Sequence, residues 1–395
     1  MSTTDGTIGT DDEVAAEEFR LELRQWLRDH LSEDVRAAAS ANRDDDVAFE
    51  ALRRWNAELY DAGYAAVGWP RAQGGRDATL LDQLACNEEM ARAAAPGPVN
   101  AIGVANIAPA IMALGTDEQR ARFLRPLLRG DEIWSQGMSE PDAGSDLAAL
   151  RTRAVPDGDH FVVDGQKTWN SMGHRADWCQ LYVRTDPDAP RHRGITCLLV
   201  DMRTPGIQAT PIVTMAGGTD FSDVFFDAVR VPASAVLGAV DGGWQVATST
   251  LGFERAGVAS LYLSLRARCD RLLAAAHEQR ADGTSVWGEP VQRDRLMAIE
   301  IQVRNLELLA KRTLGTALRG GTPGPEGSVI KLAWSTTDQA LQRTAVDVLG
   351  MAALTGPWAD GLLGSCALTI AGGTTEVNKN IIGERVLGLP REPKP

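Results

Sequence analysis

Apolar positions along the first third of the chain recur at roughly helical spacing. Between residues 12 and 30, Val14, Phe19, Leu21, Leu23, Trp26 and Leu27 alternate with charged side chains, the pattern of an amphipathic helix. Residues 44–62 repeat it through Phe49, Leu52, Trp55 and Leu59, until Gly68-Trp69-Pro70 and Gly74-Gly75 break it. Residues 80–95 and 101–114 read as two further helices. Thr116-Asp117-Glu118-Gln119 has the form of a capping box, so another helix is expected from Thr116 to about Pro126 and Gly130. The polar, Gly- and Thr-rich residues 1–11 are expected to fray.

After Trp134 the period changes. Residues 134–146 hold too many Gly, Ser, Pro and Asp side chains for a regular element and read as a shaped loop. An Asp164-Gly165 turn is expected to feed a short strand ending at Trp169-Asn170-Ser171, a surface on which a large planar ligand can lie. Residues 155–160 carry a Pro-Asp-Gly turn and 161–163 lead into Asp164-Gly165; 181–184, 195–200, 207–213 and 224–231 are short β-branched or aromatic runs divided by Pro, Gly and Asp. Helical spacing returns at Gly243 and holds to about Leu318, apart from a turn region at 281–290; it resumes over 326–349 and after Thr374, with 320–327 as a loop. The predicted fold class is α+β. Residues 1–130 form an N-terminal helical domain, 131–240 a small β-barrel or sandwich domain, and 241–395 a C-terminal four-helix bundle.

Composition narrows the function. A chain of 395 residues calls for two or three packed units, and a net charge of −13 argues against a nucleic-acid groove or an anionic membrane surface. Five cysteines lie far apart, with no C-x-x-C pair, which is the usage of a reducing cytoplasm. No run of 18 apolar residues appears, no signal peptide is visible, and the five histidines are isolated, so neither a membrane span nor a metal site is expected.

Two features carry candidate chemistry. Ala247, Leu251, Val258, Leu261, Leu265, Cys269, Leu272 and Ala276 trace one apolar face along an expected helix, and Glu254 falls in register on it. A carboxylate there is neutral, paired with a neighbour such as Arg255, or kept for a function, because burying an isolated charge is costly. Gly372-Gly373-Thr374-Thr375-Glu376 reads as a capped helix start, either an ordinary one or an anion site.

The paired segments 134–146 and 164–171 resemble those of the acyl-CoA dehydrogenase family of flavoproteins, and the similarity runs over residues 14–390. The resemblance implies FAD as cofactor. It places Gln136, Gly137, Met138 and Ser139 against the isoalloxazine, Ser145 near the thioester, and Trp169, Asn170 and Ser171 along the flavin wall, where the family usually has Thr or Ile in place of Asn170. Most members carry the base in a C-terminal Tyr-Glu-Gly-Thr loop. Here Gly372 takes that place, and Phe253-Glu254-Arg255 matches the variant of isovaleryl-CoA and long-chain acyl-CoA dehydrogenases, whose base stands on the earlier helix. By the same analogy Gly372 offers its N–H to the thioester oxygen, Arg255 lies near the substrate, and Thr374, Thr375 and Glu376 lie near the cofactor. The implied partners are an acyl-CoA substrate with a branched or bulky chain and an electron-transfer flavoprotein or similar acceptor. A homodimer, a homotetramer or a pairing with a different chain is implied as well. Thr284 and Asp347 stand where the family has an Arg and a Gln-containing segment that hold a neighbour's adenosine end. An O₂-using oxidase and a half-site subunit are the alternatives.

Overall fold

The computed structural model describes residues 10–41, 45–257, 260–318 and 324–391, with the side chains of 10–13 and 251–257 excepted. The chain divides into two compact units, one comprising residues 21–86 and 94–254, the other residues 1–20, 87–93 and 255–395.

Helices α1 (Thr10–His30), α2 (Glu33–Ser40), α3 (Asp46–Asp61), α4 (Leu80–Arg92), α5 (Ala108–Leu114) and α6 (Asp117–Arg129) come first. Their starts are written in the side chains. Ser32 Oγ accepts from the Val35 amide, Asp45 from Val47 and Ala48, and Thr116 with Gln119 forms the reciprocal capping box. Helix α6 continues through Pro126 and stops where Gly130 turns left-handed at φ 82°.

In the larger unit, strands β1 (Trp134–Gly137), β2 (Arg153–Asp157), β3 (His160–Ser171), β4 (Trp178–Arg184), β5 (Ile195–Asp201), β6 (Ile207–Ile212), β7 (Phe221–Pro232) and β8 (Val236–Leu237) form one sheet. Its order is β6-β7-β3-β2-β4-β5-β8, with β1 added parallel to β4 in the register Trp134 to Trp178. One core sets Ile107, Ile111 and Leu127 against Trp134, Tyr182 and Leu237; a second, on the sheet, gathers Val163, Leu181, Leu198, Val224 and Phe226. Burying such side chains supplies the main driving force, about 1.5–3 kcal/mol each.

Two expectations for this region are corrected. Residues 134–137 are a strand and not a loop, because Trp134 and Ser135 are buried and the chain pairs with β4. Asp164-Gly165 is not a turn: β3 runs through it, and the register shifts between Val163 and Gly165 as in a β-bulge. Gly165 lies at φ 149°, and the Asp164 carboxylate accepts from the Ala228 amide across the bulge. The Pro-Asp-Gly turn expected within 155–160 is present at Gly158, φ 64°, between β2 and β3.

The second half holds α7 (Gly243–Gly257), α8 (Leu261–His277), α9 (Pro290–Leu318), α10 (Gly327–Leu349), α11 (Gly356–Ser365) and α12 (Thr375–Ile381). The helical unit closes over Leu265, Cys269 and Leu272 of α8, Ile299, Val303 and Leu306 of α9, and Leu341 and Ala345 of α10. The single helical run expected from Gly243 to Ala276 is present as two helices. Ala247 is buried on α7, whereas Leu265, Cys269, Leu272 and Ala276 are buried on α8; the side chain of Leu251 and residue Val258 lie outside the described residues. Residues 320–323 of the loop expected at 320–327 also lie outside them.

Candidate active site

One candidate region is built on β1, β3 and the loop between β1 and β2. Gly137 is required by close approach, since a Cβ there would stand 2.8 Å from Leu181 Cδ1. Beyond it the chain is fastened by a buried ion pair. Lys167 Nζ, on β3, donates to Glu140 Oε1 at 2.8 Å and to the Met138 carbonyl at 3.1 Å, and Lys167 is fully buried. The amides of Arg151 and Thr152 donate to the same Glu140 carboxylate at 2.6 and 2.8 Å, and the Thr168 amide donates to the Ser139 carbonyl at 2.9 Å. Burial by itself pushes the Glu140 carboxyl up, but Lys167 and the two amides outweigh it and hold it below its ordinary value. The backbone from Met138 to Glu140 is therefore fixed before any ligand arrives.

Strand β3 then breaks its own alternation. A second register shift falls between Lys167 and Asn170, Trp169 takes φ 60°, and both Lys167 and Asn170 face inward while Trp169 is thrown out. The Trp169 indole is 57% exposed and meets Phe221 edge-on at 5.9 Å. A non-glycine residue in this left-handed region costs on the order of 1–3 kcal/mol, a strain that the surrounding ladder must hold. Asn170 does not share the open face with Trp169: its side chain is buried, Nδ2 lies 4.0 Å from Cys179 Sγ, and Oδ1 has no hydrogen-bond partner. Ser171 and Ser139 are half-buried, Gln136 donates to Gln180 Oε1 at 3.0 Å, and Ser145 is exposed.

A separate candidate region lies in the helical unit. Gly372 and Gly373 both turn left-handed, φ 62° and 87°, just before Thr374, whose hydroxyl accepts from the Val377 amide and caps α12. The buried Lys331 of α10 reaches this turn and donates to the carbonyls of Gly373 at 2.7 Å and Leu368 at 2.9 Å. Asn378 Nδ2 donates to the same Gly373 carbonyl at 2.8 Å. Gly372 and Glu376 are exposed, and Thr374 and Thr375 are half-buried. Helix α12 is only seven residues long, so its first turn reads as a capped start and not as an independent anion site.

Glu254 and Arg255 fall on α7 by backbone position, and their side chains lie outside the described residues. Among the described residues no group of three His, Cys, Asp or Glu could hold a metal, and no helix is long and apolar enough to cross a membrane. The candidate residues missed from the sequence are Glu140, Lys167 and Lys331. Their signal was present, since a lysine in an apolar strand or on the inner face of a helix must find acceptors, but the partners lie 27 and 42 positions away.

An uncovered indole, a backbone run locked beside it and a buried carboxamide oxygen without a donor fit a flat heteroaromatic cofactor such as a flavin. Helical ends around a middle β-sheet domain then define a three-part flavoprotein dehydrogenase. Models of the N-terminal, middle and C-terminal domains of acyl-CoA dehydrogenases match residues 15–131, 135–229 and 241–387. The chain is 40% identical over 390 residues to the acyl-CoA dehydrogenase IpdE1 of Mycobacterium tuberculosis, covering 96% of this chain and 99% of that protein. Among solved structures, the ChsE4-ChsE5 complex from Mycobacterium tuberculosis superposes with a TM-score of 0.83 at 33% identity, covering 99% of this chain and 100% of that one. The Tcur3481-Tcur3483 steroid ACAD superposes with a TM-score of 0.85 at 30% identity, covering 98% and 100%. The chain belongs to the acyl-CoA dehydrogenase family, a family of FAD-dependent oxidoreductases.

Proposed function

We propose that the chain desaturates the Cα–Cβ bond of a bulky acyl-CoA thioester, with Glu254 as the base. The observation that carries this reading is Gly372. The position that bears the carboxylate in most relatives has no side chain here, and its backbone is left-handed, so the acid must come from elsewhere. Glu254 of the Phe253-Glu254-Arg255 match supplies it and removes the α-proton, with Arg255 beside the substrate. That proton is too weakly acidic for an unaided carboxylate, and the Gly372 N–H, held by the turn that Lys331 ties down, donates to the thioester oxygen. Bound FAD supplies the acceptor for the β-hydrogen and its electron pair. Residues 136–139 with Trp169 and Ser171 hold its ring, Asn170 supports the wall from behind, and Thr374, Thr375 and Glu376 lie beside it. Ser145 contacts the thioester. In this reading residues 1–130, 131–240 and 241–395 are the working domains, the middle one carrying the flavin and thioester contacts. The steroid substrate class named for one structural relative supports a bulky acyl group. Electrons pass on to an electron-transfer flavoprotein or similar acceptor, and the cysteine usage supports a cytoplasmic setting.

The test is Glu254→Gln. Flavin content stays at the parent level, and anaerobic bleaching by a substrate that reduces the parent slows by about 10²–10⁴-fold. A near-normal bleaching rate refutes the assignment.

A second reading concerns assembly. The two solved relatives are named as pairs of chains. Here Thr284 spends its amide and hydroxyl on Asp282 at 2.9 and 2.7 Å, and Asp347 stands 3.9 Å from Arg295, so neither offers the guanidinium or carboxamide that usually holds a neighbour's adenosine end. We therefore propose a different acyl-CoA dehydrogenase chain as partner in place of a second copy. The visible spectrum decides: flavin near stoichiometry in the purified chain alone favours self-assembly, and flavin retained only after mixing with a second chain favours the mixed pair.

A further inference from the structure

In the helical unit, away from the Gly372 turn, a cavity of about 320 Å³ opens between α8, α10 and α11. Arg268, Arg271 and Ala275 line it from α8, Gln342 from α10, and Trp358 and Gly361 from α11. Three features of its wall lack partners that a ligand would supply. Gln342 is 2% exposed; its Nε2 donates to Asp338 at 3.2 Å, and its Oε1 accepts from nothing. Gly361 lets that oxygen stay where it is, since a Cβ there would meet Gln342 Oε1 at 2.7 Å. Arg268 gives one terminal nitrogen to Asp338 at 2.8 Å, while its buried Nε donates to nothing. Arg271 is exposed and forms no ion pair with any described residue.

Charge selects the kind of ligand. Asp338 is already committed to Arg268 and Gln342, so two guanidiniums face one carboxylate and the wall keeps about one positive charge within a chain of net charge −13. Burial and the neighbouring Arg271 both pull the Arg268 guanidinium down, a repulsion that an anion would relieve. The half-buried Trp358 indole offers a flat face, the Gln342 oxygen needs an N–H donor, and guanidiniums suit phosphate oxygens. The volume is at the small end of ligand pockets, enough for one nucleotide and too little for a dinucleotide.

We infer that this cavity is a binding site for an aminopurine nucleotide, its phosphate on Arg268 and Arg271, its ring on Trp358 and its amino group on Gln342. The inference does not rest on the assignment of Glu254. Free adenine nucleotide and the adenosine end of a coenzyme share this chemistry, and the test separates them.

The flavin-loaded protein is titrated calorimetrically with ADP, adenosine, inorganic phosphate and CoA, as are Arg271→Glu and Trp358→Leu variants of matched flavin content and circular dichroism. ADP is expected to bind saturably, at least tenfold more tightly than adenosine or phosphate, and each substitution is expected to weaken it at least tenfold. If CoA affinity is unchanged in the variants, the ligand is free nucleotide; if it falls in parallel with ADP, the pocket takes the adenosine end of the coenzyme. ADP binding that is absent, or equal in parent and variants, overturns the inference. Phosphate binding as tightly as ADP overturns the nucleotide assignment too.

Discussion

Lys331 Nζ and the Gly373 carbonyl oxygen stand 2.7 Å apart, joining the inner face of α10 to the left-handed turn that presents Gly372. This bond, with its companion to Leu368, gives a turn made of glycines a fixed place. Lys331→Met keeps length and removes the donors. Flavin reduction by acyl-CoA is expected to slow by about 10–100-fold, since roughly an ångström of misplacement at a reacting centre has that effect. Lys331→Arg keeps donors and is expected to recover part of the rate. Stopped-flow bleaching measures both, and a parent-like rate in the Met variant would show that the turn holds itself.

The buried Lys167–Glu140 pair makes a pH prediction. Because the folded state holds the Glu140 carboxyl below its unfolded value, its contribution to stability is fully present above about pH 4.3 and is lost as pH falls through the folded value. Lys167→Met leaves a buried carboxylate without its cation and is expected to destabilise the protein by about 3–5 kcal/mol near neutrality. That penalty shrinks as pH falls, because the uncompensated carboxyl of the variant takes up a proton before the parent's does. Denaturant unfolding across pH 3–7 reads it, and a penalty that does not change with pH rules out the ionic origin.

Trp169 is exposed at a strained backbone position, which makes sense if something covers it. Trp169→Ala is expected to weaken FAD by an amount on the order of a few kcal/mol, seen as flavin lost during gel filtration. Thr374→Val, which removes a cap, is expected to cost about 1 kcal/mol of stability and release less flavin. Undiminished flavin in the Ala variant would remove the indole from the cofactor wall.

Features whose cause is local could be read from the sequence. The Thr116 capping box and the Thr374 cap are formed as the residues within three positions dictate. Features whose cause is a distant neighbour were misread or missed. Residues 134–137 have loop-like composition, and what makes them a strand is the edge of β4, with Leu181 Cδ1 packed where a Cβ at 137 would stand. Asp164-Gly165 uses the same residues in a bulge that it would use in a hairpin turn, and only the partner strand β7 distinguishes the two. Helix α11 escaped because Gly356, Gly361 and Gly364 lower its propensity; its place is set by packing on α10. The Trp169-Asn170-Ser171 tripeptide stood out in the sequence, but the bulge that turns Asn170 inward and Trp169 outward did not.

The left-handed backbone at Gly372 also bears on what this position can carry. At φ 62° this turn has a shape that penalises any side chain by roughly 1–2 kcal/mol. Gly372→Glu would place a carboxylate on a backbone not shaped to carry it. Lys331 and Asn378, by holding the Gly373 carbonyl next to it, keep that backbone from relaxing to suit a larger residue.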